Sequence, residues 1–491
     1  MTLHTRLTAT FAAAFFASAG FAQDSLTVAI QLEPPNLDPT GGAAQAIDSV
    51  LYANVFEGLT RFDANGAIIR GLAQSWDISD DGLIYTFNLA SGVTFHDGTT
   101  MDAEDVKFSL DRARAEGSTN AQKGLFEGIA DVTAVDPLTV QITLSQPNGN
   151  FLFNLAWGDA VIVAPESIEN IATNPVGTGP FTFTDWVQGD RIELTRYDDY
   201  WGTAPALDSA TFRFIADPTA AFAAVMAEDV DAFVGFPAPE NLPQFQADPR
   251  FQVLVGNTEG ETILSTNNAM PPLDNPLVRK AIAHAIDRQA IIDGAMFGLG
   301  TPIGTHFAPH HPDYIDLTSK SAHDPALARE LLAEAGLADG FTTTLKLPPP
   351  SYARRGGEII AAQLREVGIE TEITNLEWAQ WIEEVFTNKD FGLSIVSHTE
   401  PMDIGIYANP DYYFQYDNPA FQTLMDTLNE TTDPDQRSVL MAEAQTIIAD
   451  DYVNGFLFEL AVATVAKAEI NGLWVNQPTA AVDLTGISWA E

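Results

Sequence analysis

The stretch NPVGTGPFTFTDWVQGDRIELTRYDDYWG, Asn174 to Gly202, decides how the rest of the chain is read. Gly177-Thr178-Gly179-Pro180 predicts a tight turn, because glycine reaches backbone angles closed to other residues and proline fixes the next φ. Phe181 and Phe183 then alternate with Thr182 and Thr184, the period of a strand with one buried face. Gln188-Gly189-Asp190 turns the chain back into Ile192 and Leu194, and an aromatic loop closes the unit at Tyr197, Tyr200 and Trp201. The pattern is a β-hairpin at a sheet corner. A phosphate-cradling loop is disfavoured, since no lysine follows the glycines and no helix pattern opens there.

Composition sets wider bounds. The 491 residues are 46% apolar, enough for two or three domains with substantial cores. They carry 23 basic and 67 acidic residues, a net charge of −44, which disfavours nucleic acid and anionic membranes as partners. The absence of cysteine removes disulfides, thiol catalysis, thiolate metal sites and a lipid-bearing N-terminal cysteine. Residues 1–22 read as an export signal: Arg6, an apolar centre from Phe11 to Phe16, and the small-x-small ending Gly20-Phe21-Ala22. The mature chain is therefore expected to be exported, soluble and unlipidated.

Working outward, Leu26 to Ile30 reads as a buried strand, and apolar residues from Ile47 to Leu59 recur at helical spacing. Alternation marks strands at Leu83–Leu89 and Leu138–Leu144, and Asp102 opens a helix with Val106, Leu110 and Ala113 inward. Asn275-Pro276, Asp324-Pro325 and Asp433-Pro434 each read as an N-cap followed by a first-turn proline. Ile359, Ile360, Leu364 and Val367 form a helix face that returns into a strand at Ile369–Ile373; Asp390–Ser397 is a further strand, and short strands end the chain. The order is mixed α/β rather than a regular β-α-β alternation.

Six blocks in sequence, YANVFEGLTRFD, LAQSWDISDDGLIYTFNLASGVTFHDG, MDAEDVKFSLDRA, the hairpin stretch, NPLVRKAIAHAIDR and ELLAEAG, resemble the family 5 extracellular solute-binding proteins of ABC importers. This is the dipeptide, oligopeptide and nickel group. The resemblance covers nearly the whole mature chain and comes from the order of the blocks. It implies a class II Venus-flytrap fold of the periplasmic-binding-protein type: two lobes and an extra domain, three domains in all. Domain I is expected from 23–47, 167–260 and 466–491, domain II from 48–166, and domain III from 261–465. A monomer in the periplasm, passing its ligand to membrane permease subunits and needing no cofactor, is implied too.

A solute cleft needs convergent polar groups on an apolar wall. The region from Leu376 to Tyr416 offers the candidate ligand-binding residues Trp378, His398, Glu400, Asp403, Tyr407, Tyr413 and Tyr416. Ile382 and Val385 are assigned to the core. Peptide-binding relatives carry an Asp-Tyr-x-x-Pro-like loop here, whose aspartate pairs with the peptide amine. This chain has His398-Thr399-Glu400-Pro401-Met402-Asp403 instead, leaving Glu400 and Asp403 as the candidate carboxylates. That departure keeps oligosaccharides, opine-like conjugates and metal chelates open as ligands. His306, His310, His311 and Asp313 match no metal signature and are read as a cleft-rim or surface loop, so no metal site is assigned. An enzyme is the competing class, a secreted glycoside hydrolase or peptidase. No G-x-S-x-G elbow or H-E-x-x-H helix supports it, and no catalytic residue is assigned.

Overall fold

The computed structural model describes residues 24–42 and 44–490; the export signal read at 1–22 lies outside them. The helices that polar residues announce begin where expected. Asn275 Oδ1 accepts from Leu277 N, Asp324 Oδ1 from Ala326 N and Leu327 N, and Asp433 Oδ1 from Gln436 N. Asp102 accepts from Glu104 N at 2.8 Å while the Asp105 carboxylate takes the Asp102 N–H at 2.8 Å, a reciprocal cap for Ala103–Arg114.

Eleven strands form the main sheet. Its order runs Ile369–Asn375, Phe341–Leu347, Leu393–His398, Phe251–Thr266, Gly455–Lys467, Ala232–Phe233, Ser25–Ile30, Ser209–Phe214, Arg191–Arg196 and Phe181–Val187, with Thr301–Pro302 paired to Gly455–Lys467 off this path. The N-terminal end of this sheet is sealed by Leu26, Val28, Phe181, Leu194, Phe212 and Ile487. The other end carries two cores, one around Ile282, Leu345 and Ile395 and one around Trp381, Val385, Tyr407 and Phe421. A separate four-stranded antiparallel sheet, ordered Ala73–Ile78, Ile84–Leu89, Thr139–Leu144, Ile129–Asp136, buries Tyr85, Phe87, Val140 and Ile142 against Val106 and Leu110.

Two long strands join the halves of the main sheet. Phe251–Thr266 and Gly455–Lys467 run antiparallel from Phe251↔Lys467 to Leu264↔Gly455, and their register breaks between Asn257 and Glu261. Gly455–Lys467 corrects the expectation of only short strands at the end of the chain. Its sequence, GFLFELAVATVAK, is nearly continuous in apolar residues because cores cover both of its faces: Phe456 and Leu457 enter two different ones, as do Val465 and Ala466.

The hairpin forms as read, with Gly189 at φ 77 in its return. Gly177 and Gly179 serve close approach rather than unusual backbone angles. A Cβ on Gly177 would sit 2.0 Å from the Val55 carbonyl oxygen, and one on Gly179 would sit 2.4 Å from that of Asn54. Thr178 between them donates to Glu57 Oε2 at 2.9 Å. Trp201 Nε1 donates to the same oxygen at 2.9 Å, and the Tyr200 hydroxyl donates to Glu57 Oε1 at 2.9 Å. The stretch that decides the fold thus wraps the buried Glu57 of the YANVFEGL block.

Two further readings are corrected. The helix expected from Ile47 to Leu59 covers only Gln45–Leu51. Asn54 Nδ2 bonds the carbonyls of Val50 and Val482, its Oδ1 accepts from Leu484 N, and the backbone turns at Ala53 with φ 60. Ile382, assigned to the core, is 52% exposed. Ile382–Thr387 is a π-turn, which alters the helical phase and leaves Trp381 and Val385 inward.

Candidate functional site: a cleft at the strand crossing

A cleft of ≈ 550 Å³ opens beside the register break of the two long strands. Thr258, Glu259, Gly260, Leu460 and Ala461 line it at the crossing. The helix residues Gln45–Ser49 and the Trp157–Asp159 segment line it from the N-terminal part of the chain. Thr399, Glu400 and Pro401 line it from the other half. Its walls offer carboxylates, amides, hydroxyls and one tryptophan.

Of the seven candidate ligand-binding residues, only Glu400 lines this cleft. His398, Asp403, Tyr407 and Tyr413 sit behind it, joined by hydrogen bonds. Asp403 Oδ1 accepts from His306 Nε2 at 2.6 Å and Oδ2 lies 3.2 Å from His398 Nδ1. The far nitrogens of both rings reach tyrosines: His306 Nδ1 to the Tyr407 hydroxyl at 3.2 Å, His398 Nε2 to the Tyr413 hydroxyl at 3.2 Å. Asn454 Nδ2 and Ser265 Oγ close the two ends. Burial pushes the Asp403 carboxyl up, but the two imidazoles outweigh it and hold the group well below the usual carboxylate range. Burial lowers the His306 imidazole. The short segment from Glu400 to Asp403, with Met402 at φ 62, is therefore pinned at one end in the core and presents Glu400 at the other.

Tyr416 and Trp378 lie elsewhere. The Tyr416 hydroxyl donates to Asp451 Oδ2, and Trp378, 42% exposed, packs edge-on against Trp381 at 5.7 Å. The histidine loop exposes Pro312 but turns its first two histidine side chains inward. His306 is 1% exposed, and His310 Nε2 lies 2.7 Å from Glu259 Oε1, although off hydrogen-bonding geometry. Among the described residues, His306, His398 and Asp403 bring ligand atoms close enough for a metal ion. Their lone pairs and N–H groups are already engaged with one another and with the two tyrosines.

Buried acids surround the crossing. Glu261 stands opposite Glu459 in the strand register and opposite His398 on its other side. Burial first, then their mutual repulsion, pushes the Glu261 carboxyl well up, and burial does the same for Glu459, both of whose oxygens lack a partner. On the N-terminal wall, burial raises Asp48 and Asp159, the latter to about 7. Sequence reasoning passed over Asp48, Trp157, Asp159 and Glu259. The available signals were an acid inside the apolar face Ile47–Val50–Leu51, and another inside the apolar run AWGDAVIVAP.

The family model for bacterial extracellular solute-binding proteins, family 5 (middle region), matches residues 67–423. The chain belongs to this family. The fold is accordingly the multi-domain, mixed α/β Venus flytrap that its order of blocks implied. Among relatives, the glutathione-binding protein GsiB of Pectobacterium atrosepticum is 32% identical over 490 residues, 95% of each chain. The structure of HbpA2 from Haemophilus parasuis superposes with a TM-score of 0.87 at 25% identity, covering 95% of this chain and 100% of that one. The periplasmic binding protein DppA from Helicobacter pylori, in complex with the peptide STSA, gives a TM-score of 0.72 at 25% identity, covering 95% and 98%. In this family 5 protein, no helix among the described residues is long and apolar enough to cross a membrane.

Proposed function

We propose that the chain is the periplasmic receptor of an ABC importer, which captures a peptide or peptide-like solute in this cleft and hands it unchanged to the membrane permease. The observation that carries this reading is Glu400, a carboxylate on the cleft wall, mounted on a segment fixed in the core through Asp403. Glu400 is exposed in this structure, and a peptide amine meeting it forms a charge pair that closure of the cleft would desolvate, the kind of contact whose loss costs ~2–5 kcal/mol. Asp403 acts as a positioning residue. The relatives named for glutathione and crystallised with a peptide point to the same ligand class.

The division proposed is 23–47, 167–260 and 466–491 as domain I, 48–166 as domain II, and 261–465 as domain III; Val50, Leu51, Val55, Phe56, Val161 and Val163, at the two ends of 48–166, pack into the core of domain I. The two long strands are the hinge between domains I and III, and the broken register at Asn257–Glu261 is where they bend on closure. The protein acts as an unlipidated monomer without a catalytic group. Calorimetric titration with defined dipeptides tests the reading. Glu400→Gln is expected to weaken binding by about 30-fold or more while leaving the melting temperature unchanged. Equal affinity in the variant and the parent contradicts the role of Glu400.

A further inference from the structure

The cleft is unusually one-sided in charge. Asp48, Asp159, Glu259 and Glu400 line it, and among its described lining residues there is no lysine, arginine or histidine. Acidic surface alone means little in a chain of net charge −44. Asp159, however, is not a surface acid. It is 7% exposed, its Oδ1 has no hydrogen-bond partner, and it lines the cleft. Asp48 Oδ1 is likewise buried and unpartnered. The two acids are brought together by Gly158: a Cβ there would fall 2.3 Å from Asp48 Oδ1, so the absence of a side chain lets the Asp48 carboxylate pack against the backbone next to Asp159. Trp157 Nε1, on the same segment, is a buried donor that also lacks a partner and lines the cleft.

Two adjacent carboxylates, each with one oxygen buried and unpartnered and neither with a counter-charge, are costly by themselves. Mutual repulsion adds to burial in keeping the Asp48 proton on. An ammonium or guanidinium group entering between them supplies the missing donors and removes the repulsion. We propose that Asp48 and Asp159 form a cation subsite on the wall opposite Glu400, so that the cargo is a dication with one cationic nitrogen for each wall. The unpartnered Trp157 N–H then serves a carbonyl or carboxylate oxygen of the same solute. A short peptide bearing lysine or arginine has this set of groups, and a free diamine has the two cations alone. An anionic peptide such as glutathione would meet four acids, of which Glu259 alone has a base, His310, beside it. This inference rests on the reading of the cleft as the cargo site.

Calorimetric titration of the purified chain with lysyl-lysine, 1,4-diaminobutane, dialanine and glutathione tests it. Lysyl-lysine is expected to bind at least about 30-fold more tightly than dialanine or glutathione, the lower bound for pairing one buried charge. Asp48→Asn and Asp159→Asn, which keep the side-chain shape, are expected to reduce that preference to a few-fold while raising the melting temperature of the free protein. Tighter binding of lysyl-lysine than of diaminobutane makes a peptide the source of the dication; the reverse makes it a free diamine, and in that case the peptide reading falls while the cation subsite stands. Glutathione or dialanine binding as tightly as lysyl-lysine overturns the subsite and leaves the peptide reading intact. An undiminished preference in both variants overturns it as well, and binding of none of the four probes overturns both.

Discussion

Glu57 ties the opening hairpin to the YANVFEGL block, and replacing it gives the most quantitative test of why the fold-deciding stretch has its sequence. Its carboxylate accepts from Thr178, Tyr200 and Trp201, each at 2.9 Å. Glu57→Ala removes all three acceptors at once. A buried donor left without a partner costs about 1–3 kcal/mol. Thr178 is fully buried, whereas Tyr200 and Trp201 are half-buried and recover some hydration. The lower part of the range therefore applies to those two, and the sum is about 3–5 kcal/mol. Glu57→Gln keeps one carbonyl oxygen for Thr178 and Trp201. It turns an NH2 toward Tyr200, whose hydroxyl can accept as well as donate, so its cost should be only about 1 kcal/mol. Urea unfolding followed by tryptophan fluorescence, which contains the Trp201 signal, measures both variants. A Glu57→Ala protein within 0.5 kcal/mol of the parent, or a Glu57→Gln protein as unstable as the alanine variant, refutes the argument.

Other consequences are smaller in scope. Glu459→Gln should stabilise the protein at neutral pH. Burial holds the Glu459 proton on in the folded state, whereas the unfolded chain releases it above its ordinary value of 4.5, so stability falls as pH rises from there. The glutamine variant should therefore gain stability over the parent as pH rises above 4.5, measured as thermal stability against pH. Gly179→Ala should cost at least about 2 kcal/mol, because its Cβ would meet the Asn54 carbonyl oxygen at 2.4 Å; chemical denaturation reads this directly. Burial, with Asp38 nearby, places the Asp159 carboxyl at about 7, so a cationic ligand should bind with proton release and lose affinity as pH falls through that value. Calorimetry in buffers of different ionisation enthalpy measures the protons released. Asp403→Asn should weaken ligand binding through a loosened Glu400 segment, and faster hydrogen exchange across 399–403 would report that loosening.

Much of the fold was legible because its signals are local. Asx-Pro pairs mark helix starts through one side chain and one ring, and both act within three residues. The hairpin declares itself by alternation and by Gly189. The long strand Phe251–Thr266 escaped notice because Gly256, Asn257, Thr258, Glu259 and Gly260 interrupt its alternation where the register breaks. The short helix at Gln45–Leu51 was overextended because Val55 and Leu59 are buried without being helical, a difference set by Asn54 contacts with residues 428 and 430 positions away. The site was less readable for the same reason. Tyr407 and Tyr413 combine an apolar ring with a hydroxyl and suit either a ligand wall or a core; the histidines that occupy their hydroxyls settle them into the core. Asp48, Asp159 and Glu400 each lie more than a hundred residues from the next, and only the folded chain puts them on one cleft.

The central claim is reversible capture of a solute without chemistry. Native mass spectrometry of the purified chain, incubated with a defined mixture of dipeptides, tests it most directly. The account predicts one dipeptide bound per chain, released on unfolding with its mass unchanged. Cleaved products in the mixture, or the absence of any bound dipeptide, would contradict it.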